Sequence, residues 1–221
     1  QRAVAAGGPA HGRARTAKRL GDKLRAQHDW AGARDAYQAA VDAWREEWNE
    51  QYPFDARWAL LYLAQVHGLL KEADASRRIL RSLLTNFADP HDEEQKEILV
   101  IATLWMALNA KDERDLEAAR PWFQRVIDSG DANHVPTAVA HLAELHYWLG
   151  DKAAAARYYE QTLDLSNDPE YVAEAAYRLG EHLAETGDHT GAIELMERTL
   201  AGASTGFDAD ARRLLARLRT P

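Results

Sequence analysis

The sequence predicts an all-α protein, and three observations carry this prediction. The 221 residues include 42 alanines and 26 leucines, which are the two strongest helix formers. The β-branched residues are scattered rather than clustered in short runs. Apolar residues recur at every third or fourth position and almost never alternate strictly with polar ones, which is the period of a helix with one buried face.

The composition excludes several classes of function. There are 27 basic and 35 acidic side chains, so the net charge of −8 gives no basic excess that favours nucleic acid. The absence of cysteine rules out disulfides, thiolate metal sites and cysteine nucleophiles. No apolar run approaches the roughly 18 residues that a membrane span needs. We therefore expect a cytoplasmic protein that binds neither nucleic acid nor membranes. Its alanine- and arginine-rich composition suggests a bacterial source.

A fixed spacing of small and large residues repeats along the chain. Gly180 is followed twelve residues later by Ala192, then by Met196 and Thr199 at intervals of four and three. Small residues at the point where two helices cross let the backbones approach, and larger side chains fill the layers above and below. The same spacing begins again at four earlier positions, most loosely at the second of them: Gly21, Ala64, Ala107 and Ala143.

This spacing resembles that of the tetratricopeptide repeat, a helix–turn–helix unit of 34 residues. The Gly-Asp pairs at 150–151 and 187–188 fit its turn, because Gly ends the first helix and Asp caps the second. The resemblance implies a right-handed superhelical solenoid in which the first helix of each repeat, helix A, lines the concave face and helix B lies outside. Five repeats are predicted, at residues 14–47, 57–90, 100–133, 136–169 and 173–206.

The two ends of the chain are predicted to differ. Residues 1–13 contain glycine and proline without an apolar pattern, which is typical of a flexible tail. Residues 207–221 place Ala211, Leu214 and Leu218 on one face of a helix. That stripe is expected to cover the open end of the last repeat, as the capping helices of solenoids do.

No catalytic motif is found in the sequence. There is no phosphate-binding loop, dinucleotide fingerprint, zinc-binding HExxH motif or EF-hand loop. His141 and His146 lie five residues apart and therefore point in different directions on one helix. We interpret them as structural side chains and predict a non-enzymatic protein without a metal or cofactor.

The concave face implied by the resemblance is the predicted binding site. Trp, Tyr and Arg dominate the energetic centres of protein interfaces, and helix A carries several of them on the face away from helix B. The apolar anchors are predicted to be Trp58, Tyr62, Trp105 and Trp148. Polar contacts are predicted from His141, Glu144, Arg178 and Glu181. The competing interpretation is that Tyr62 and Trp105 pack between neighbouring repeats.

One known variant of the family is disfavoured. Some tetratricopeptide domains clamp a partner's C-terminal carboxylates with Lys, Arg and Asn from helix A. Here the corresponding asparagine positions include Asp22, Glu144 and Glu181, whose negative charges repel a carboxylate, and only Lys18 matches a clamp lysine.

Three functions follow from these predictions. The leading one is a scaffold or adaptor that binds a peptide or protein segment in the concave groove. The alternative is a sensor or regulatory domain of a larger bacterial signal-transduction protein, which binds an effector or an adjoining domain. The third is self-association through Trp44, Trp48 or the C-terminal helix.

Overall fold

The computed structural model describes residues 10–47, 54–202 and 205–220. Within these ranges the chain forms eleven α-helices and no β-strand, which confirms the all-α prediction. The helices are α1 Ala10–Ala26, α2 Trp30–Glu47, α3 Phe54–Leu69, α4 Ala73–Asn86, α5 Glu93–Asp112, α6 Leu116–Asp128, α7 Val135–Trp148, α8 Lys152–Leu165, α9 Pro169–Thr186, α10 His189–Ala201 and α11 Asp208–Arg219.

The chain divides into two compact units, here named the N-unit (residues 1–114) and the C-unit (residues 115–221). In the N-unit, each of the helices α1 to α4 packs against the next one along the chain, and α3 also contacts α1 and α5. In the C-unit the same order holds from α6 to α11, with added contacts of α9 to α7 and α11. Helices α5 and α6, which were predicted as one repeat, belong to different units.

The turns between helix A and helix B share a backbone geometry that the sequence only partly revealed. Gly150 and Gly187 have φ angles of +82° and +93°, as their predicted role in ending a helix requires. The matching turns at His28, Lys71 and Arg114 adopt φ angles of 58°, 62° and 64° without glycine. The left-handed conformation is therefore built into every one of these turns, whatever residue occupies it.

Carboxylates begin the helices that follow these turns. The side chains of Asp151 and Asp188 each accept a hydrogen bond of 3.0 Å from the backbone N–H three residues later. Asp29 and Asp115 do the same before α2 and α6. Each bond satisfies a backbone donor that the first turn of the helix leaves free.

Glycines occupy the closest helix crossings, as predicted. A Cβ atom on Gly21 would lie 2.7 Å from the ring of Tyr37, and one on Gly180 would meet the terminal methyl of Met196. The large side chains that oppose such small residues are buried: Tyr37 and Phe123 are fully enclosed, and Tyr159 is 3% exposed.

The C-terminal helix α11 covers the last helix pair. Its Ala211 and Leu214 are buried in one cluster with Tyr177 and Met196. At the other end of the chain, α1 begins at Ala10, inside the segment that was predicted to be a flexible tail.

The hypothesis of self-association through Trp44 is wrong. Trp44 is fully buried, so its ring offers no surface to a second copy of the chain. Trp48 lies outside the described residues.

Candidate functional site

In the N-unit, Tyr62 is the centre of an aromatic and cationic stack. Its ring lies 5.7 Å from Tyr37 and 5.6 Å from Trp58. The guanidinium carbon of Arg25 lies 4.3 Å from the ring centroid, and the Lys18 ammonium lies 5.4 Å from it. Tyr62 of α3 is therefore partly buried against α1 and α2, which agrees with the interpretation that it packs between neighbouring repeats.

Asp22 holds two of these neighbours in place. Its carboxylate accepts a hydrogen bond of 2.9 Å from Lys18 Nζ and one of 2.8 Å from Tyr37 Oη. Burial raises the pKa of the Tyr37 hydroxyl, and the bond to Asp22 raises it further. Lys18, the one residue that matches a clamp lysine, therefore already has an anionic partner.

The other two N-unit anchors connect α3 with α5. Trp105 packs against α3 at Gly68, where a Cβ atom would lie 3.4 Å from the indole ring. The side chain of Trp58 lies near the carboxyl group of Glu94 and acts to lower its pKa. Burial raises the pKa of Glu94, although Arg57 lies 3.7 Å from its carboxylate. Both tryptophans keep part of their surface exposed.

In the C-unit, His141 and Glu144 lie largely below the surface. Their side chains are 14% and 16% exposed, and His141 Nδ1 lies 3.4 Å from Glu144 Oε2. The other ring nitrogen lies 3.4 Å from the Tyr171 hydroxyl. The ring of His141 is also 5.4 Å from Phe123. These contacts show that most of His141 packs between helices and does not face an open groove.

Arg178 organises the exposed part of the C-unit face. Its Nη1 donates to Tyr147 Oη on α7 at 2.8 Å and to Glu181 Oε2 at 2.9 Å. The guanidinium also stacks on Tyr147, with 4.3 Å to the ring centroid. Burial alone lowers the pKa of Arg178, but the bond to Glu181 and the nearby Tyr147 outweigh it, so the pKa lies above its ordinary value. The cluster is partly open, since Arg178 and Glu181 are 23% and 31% exposed.

Trp148 is the most exposed of the predicted anchors. It ends α7 and is 41% exposed, beside Leu149 at 39%. Large apolar side chains at this level of exposure offer surface to a partner.

A polar cleft opens between α7, α8 and α9. Its cavity volume is about 50 Å³. It is lined by Tyr147, Lys152, Ala155, Ala156, Tyr159, Arg178, Glu181, His182 and Glu185. No signal in the sequence brings them together, because α8 and α9 meet only in the folded chain.

Comparison with known proteins agrees with the paired-helix geometry. Family models described as "Tetratricopeptide repeat" match residues 58–90 and 141–209. This chain is a tetratricopeptide repeat protein. No curated protein sequence matches it.

Several solved structures share the fold of this tetratricopeptide repeat protein. The apo form of RapI superimposes with a TM-score of 0.72 at 14% identity, over 93% of this chain and 74% of RapI. A thermophilic tetratricopeptide repeat protein of Thermus thermophilus gives 0.51 at 20% identity, over 93% and 98% of the two chains. The Rap conjugation gene regulator of plasmid pLS20, in complex with the Phr* peptide, gives 0.62 at 13% identity, over 91% of this chain and 55% of the regulator. At these identities the likeness concerns the fold alone.

Two histidines of this tetratricopeptide repeat protein, His141 and His146, pack against aromatic side chains. His146 stacks on Tyr158, with ring centroids 5.3 Å apart, and its Nδ1 lies 3.6 Å from Asp151. Among the described residues, no group of three or more His, Asp or Glu side chains is placed to hold a metal ion. No described helix has the length and apolarity that a membrane span requires.

Proposed function

We propose that the C-unit binds an extended segment of a protein partner along the helix A face of α7 and α9. The repeats mark the chain as a protein-interaction scaffold. The observation that carries the finer proposal is the Arg178 cluster, in which one guanidinium joins Tyr147 of α7 to Glu181 of α9 on a partly open surface. A surface held in one geometry before binding loses little freedom when a partner arrives.

The exposed indole of Trp148 is the proposed apolar anchor of this face. In the N-unit, Trp58, Tyr62 and Trp105 remain proposed contacts, because each keeps part of its side chain exposed. His141 and Glu144 are proposed to support the C-unit face from beneath, since both are mostly buried.

The charge of the C-unit face favours a neutral or basic segment. The acidic side chains of α9 are Glu170, Glu174, Glu181 and Glu185, and the basic side chains beside them are Arg178 of the same helix and Lys152 of α8, which pairs with Glu185. Such an imbalance steers a basic segment toward the face and opposes an acidic one. The Phr* complex of the pLS20 Rap regulator supports the proposal, since a peptide is held by a protein of similar fold.

A peptide selection on the purified protein tests this function. Peptides recovered from a random library are titrated against the wild type, Trp148→Ala and Arg178→Gln, with Arg157→Gln on the exposed side of α8 as the control. We expect Trp148→Ala and Arg178→Gln to weaken binding by about 1–4 kcal/mol. The control should bind like the wild type.

Two results contradict the proposal. One is that all four proteins bind the selected peptides equally, which places the site elsewhere. The other is that no library yields a peptide whose binding saturates.

A regulatory role is the second candidate, favoured by the similarity in fold to two Rap proteins. In this role a bound effector changes the affinity of the protein for a second partner. Titration of that partner with and without the selected peptide measures the coupling. If the affinity for the second partner is the same with and without the peptide, the regulatory role is contradicted and only the scaffold function remains.

A further inference from the structure

The cleft of the C-unit concentrates buried polar atoms that have no hydrogen-bond partner. In the part of the chain that the structure describes, six buried side-chain nitrogen or oxygen atoms lack a hydrogen-bond partner. Three of these atoms belong to residues that line this cleft: Tyr159 Oη, Arg178 Nε and His182 Nδ1. Tyr159 is only 3% exposed. Buried polar groups are otherwise nearly always paired, because leaving one unpaired costs free energy. Their concentration in one cleft indicates a binding site.

The three atoms define what an occupant must offer. Arg178 Nε carries a hydrogen and can only donate, so the occupant needs an acceptor. The Tyr159 hydroxyl and His182 Nδ1 can each donate or accept. An occupant with one strong acceptor and adjacent N–H donors therefore satisfies all three.

The charges of the cleft favour a neutral occupant. Arg178 is paired with Glu181 at 2.9 Å, and Lys152 donates to both oxygens of Glu185 at 2.8 and 2.6 Å. A carboxylate placed here would lie beside two glutamates, and an ammonium group would lie beside Arg178 and Lys152. Either charged occupant would therefore add a charge to the cleft that has no full partner there.

We propose that this cleft binds the primary carboxamide of an asparagine or glutamine side chain in the partner segment. The carbonyl oxygen accepts from Arg178 Nε, and the amide N–H groups donate to the Tyr159 hydroxyl, His182 Nδ1 or the free lone pairs of Glu181. The inference rests on the proposed function, whose peptide-binding face includes the same Arg178 and Glu181.

Two features of the cleft suit a side-chain tip rather than a passing main chain. Ala155 and Ala156 give the cleft a small apolar wall against which the flat face of a carboxamide can pack without losing a hydrogen bond. Lys152 and Glu185, each about half exposed, form an ion pair at the rim. A side chain that enters past this pair leaves its own backbone on the open face of α7 and α9.

Capped amino acids test the chemistry without a known partner. N-acetyl methylamides of Gln, Asn, Glu, Asp and Leu are titrated against the full chain, and the NMR signals of the Arg178 Nε–H and the Tyr159 ring are followed. All five probes carry the same two backbone amides, so only the side chain differs. We expect saturable shifts for Gln or Asn with a dissociation constant of about 1–10 mM, and at least about tenfold weaker binding of Glu, Asp and Leu.

Tyr159→Phe and Tyr158→Phe form a matched pair of variants. Tyr158 is the preceding residue and stacks on His146, outside the cleft. Tyr159→Phe should weaken Gln or Asn binding about tenfold, while its midpoint of thermal unfolding is no lower than that of the wild type, because the lost hydroxyl has no partner within the protein. Tyr158→Phe should leave probe binding unchanged.

The inference is overturned if the Gln and Glu probes bind equally well, or if no probe gives a saturable shift. It is also overturned if Tyr159→Phe binds the probes like the wild type. The same holds if Tyr159→Phe unfolds at a clearly lower temperature than both the wild type and Tyr158→Phe. If selected peptides bind through Trp148 and Arg178 while the carboxamide probes fail, the proposed function stands and this inference falls. If the probes bind and no peptide is selected, the cleft is a carboxamide site and the peptide-binding function fails.

Discussion

At the scale of single residues, Glu72 connects three helices of the N-unit. Its Oε1 accepts from Arg34 of α2 at 2.9 Å, and its Oε2 lies 2.5 Å from His67 Nδ1 of α3. Glu72 itself directly precedes α4 and makes no capping bond with its side chain. Its role is therefore to join neighbouring helices, and each of its two carboxylate oxygens makes one of the contacts.

Glu72→Gln should destabilise the protein at neutral pH and have little effect in acid. The hydrogen bond to His67 lowers the pKa of Glu72 below the ordinary 4.5, and Arg34 adds to this. A group whose pKa is lowered by folding stabilises the protein above its unfolded pKa, and this stabilisation is lost as the pH falls through the folded value. Urea unfolding from pH 7 down to pH 3 measures the difference between wild type and variant.

The control for this pH dependence is Glu97→Gln, which changes an exposed carboxylate of α5. Its difference from the wild type should stay small across the range. A Glu72→Gln effect that is as large at pH 3 as at pH 7 would show that the charge of Glu72 does not act through these contacts.

At the scale of helix pairs, the two crossing glycines differ in what opposes them. Gly21 faces the rigid ring of Tyr37, which is fully buried and is held through its hydroxyl by Asp22. Gly180 faces the flexible end of Met196, and a Cβ atom there would lie 3.3 Å from Leu195 Cβ. A methionine can change rotamer to admit a methyl group more easily than a tyrosine in a fixed hydrogen bond.

We expect Gly21→Ala to cost about 1–3 kcal/mol of unfolding free energy and Gly180→Ala to cost less. The reason is that Tyr37 must move its ring or lose its bond to Asp22, whereas Met196 needs only to rotate. Gly12→Ala is the control, since nothing lies within 4 Å of a Cβ atom at that position. Denaturation curves of the three variants rank the costs, and a Gly180→Ala cost at or above that of Gly21→Ala would contradict this account.

The turns between helices A and B allow a second prediction at this scale. Lys71 and Gly150 occupy equivalent turns at φ angles of 62° and 82°. A side chain is disfavoured in this conformation and glycine is not. Lys71→Gly should therefore be more stable than Lys71→Ala by about 1 kcal/mol, whereas Gly150→Ala should be less stable than the wild type by about the same amount.

Comparing the two Lys71 variants removes the contribution of the ion pair between Lys71 and Asp112, because both variants lose it. Urea unfolding at one pH gives all four free energies. If Lys71→Ala is the more stable of the two variants, backbone strain does not govern this turn.

At the scale of the whole molecule, the stability of a repeat array is the sum of contributions from neighbouring helices. The chain forms two compact units of helix pairs, and each unit has buried side chains of its own. A local defect should therefore be felt mainly by its neighbours in the same unit.

Hydrogen exchange followed by mass spectrometry tests this locality. In Gly21→Ala, we expect faster amide exchange in the described helices of the N-unit and unchanged exchange in α7 to α11 of the C-unit, because unfolding in repeat arrays proceeds by local units. Equally faster exchange throughout both units would show that the molecule unfolds as a single cooperative body.

The fold class and the repeat spacing follow from the amino-acid sequence alone. Helix propensity, the period of apolar residues and the Gly-Asp turns are local properties, and each is visible within about 34 residues. The same spacing identified Gly21 and Gly180 as positions of close helix crossing, where the structure places them against Tyr37 and Met196. The turns at His28, Lys71 and Arg114 were missed because their left-handed geometry is imposed without glycine.

The contacts between side chains, in contrast, are set by the way the helices pack in the folded chain. Tyr62 lies between residues of α1, α2 and α3, and the cleft of the C-unit draws its lining from three helices. Trp44, one of the residues considered for self-association, is buried. Helical periodicity gives the direction of a side chain relative to its own helix, but not the contacts that neighbouring helices make with it. Those contacts depend on how the helices cross, and the crossing is set by packing among residues distant in the chain.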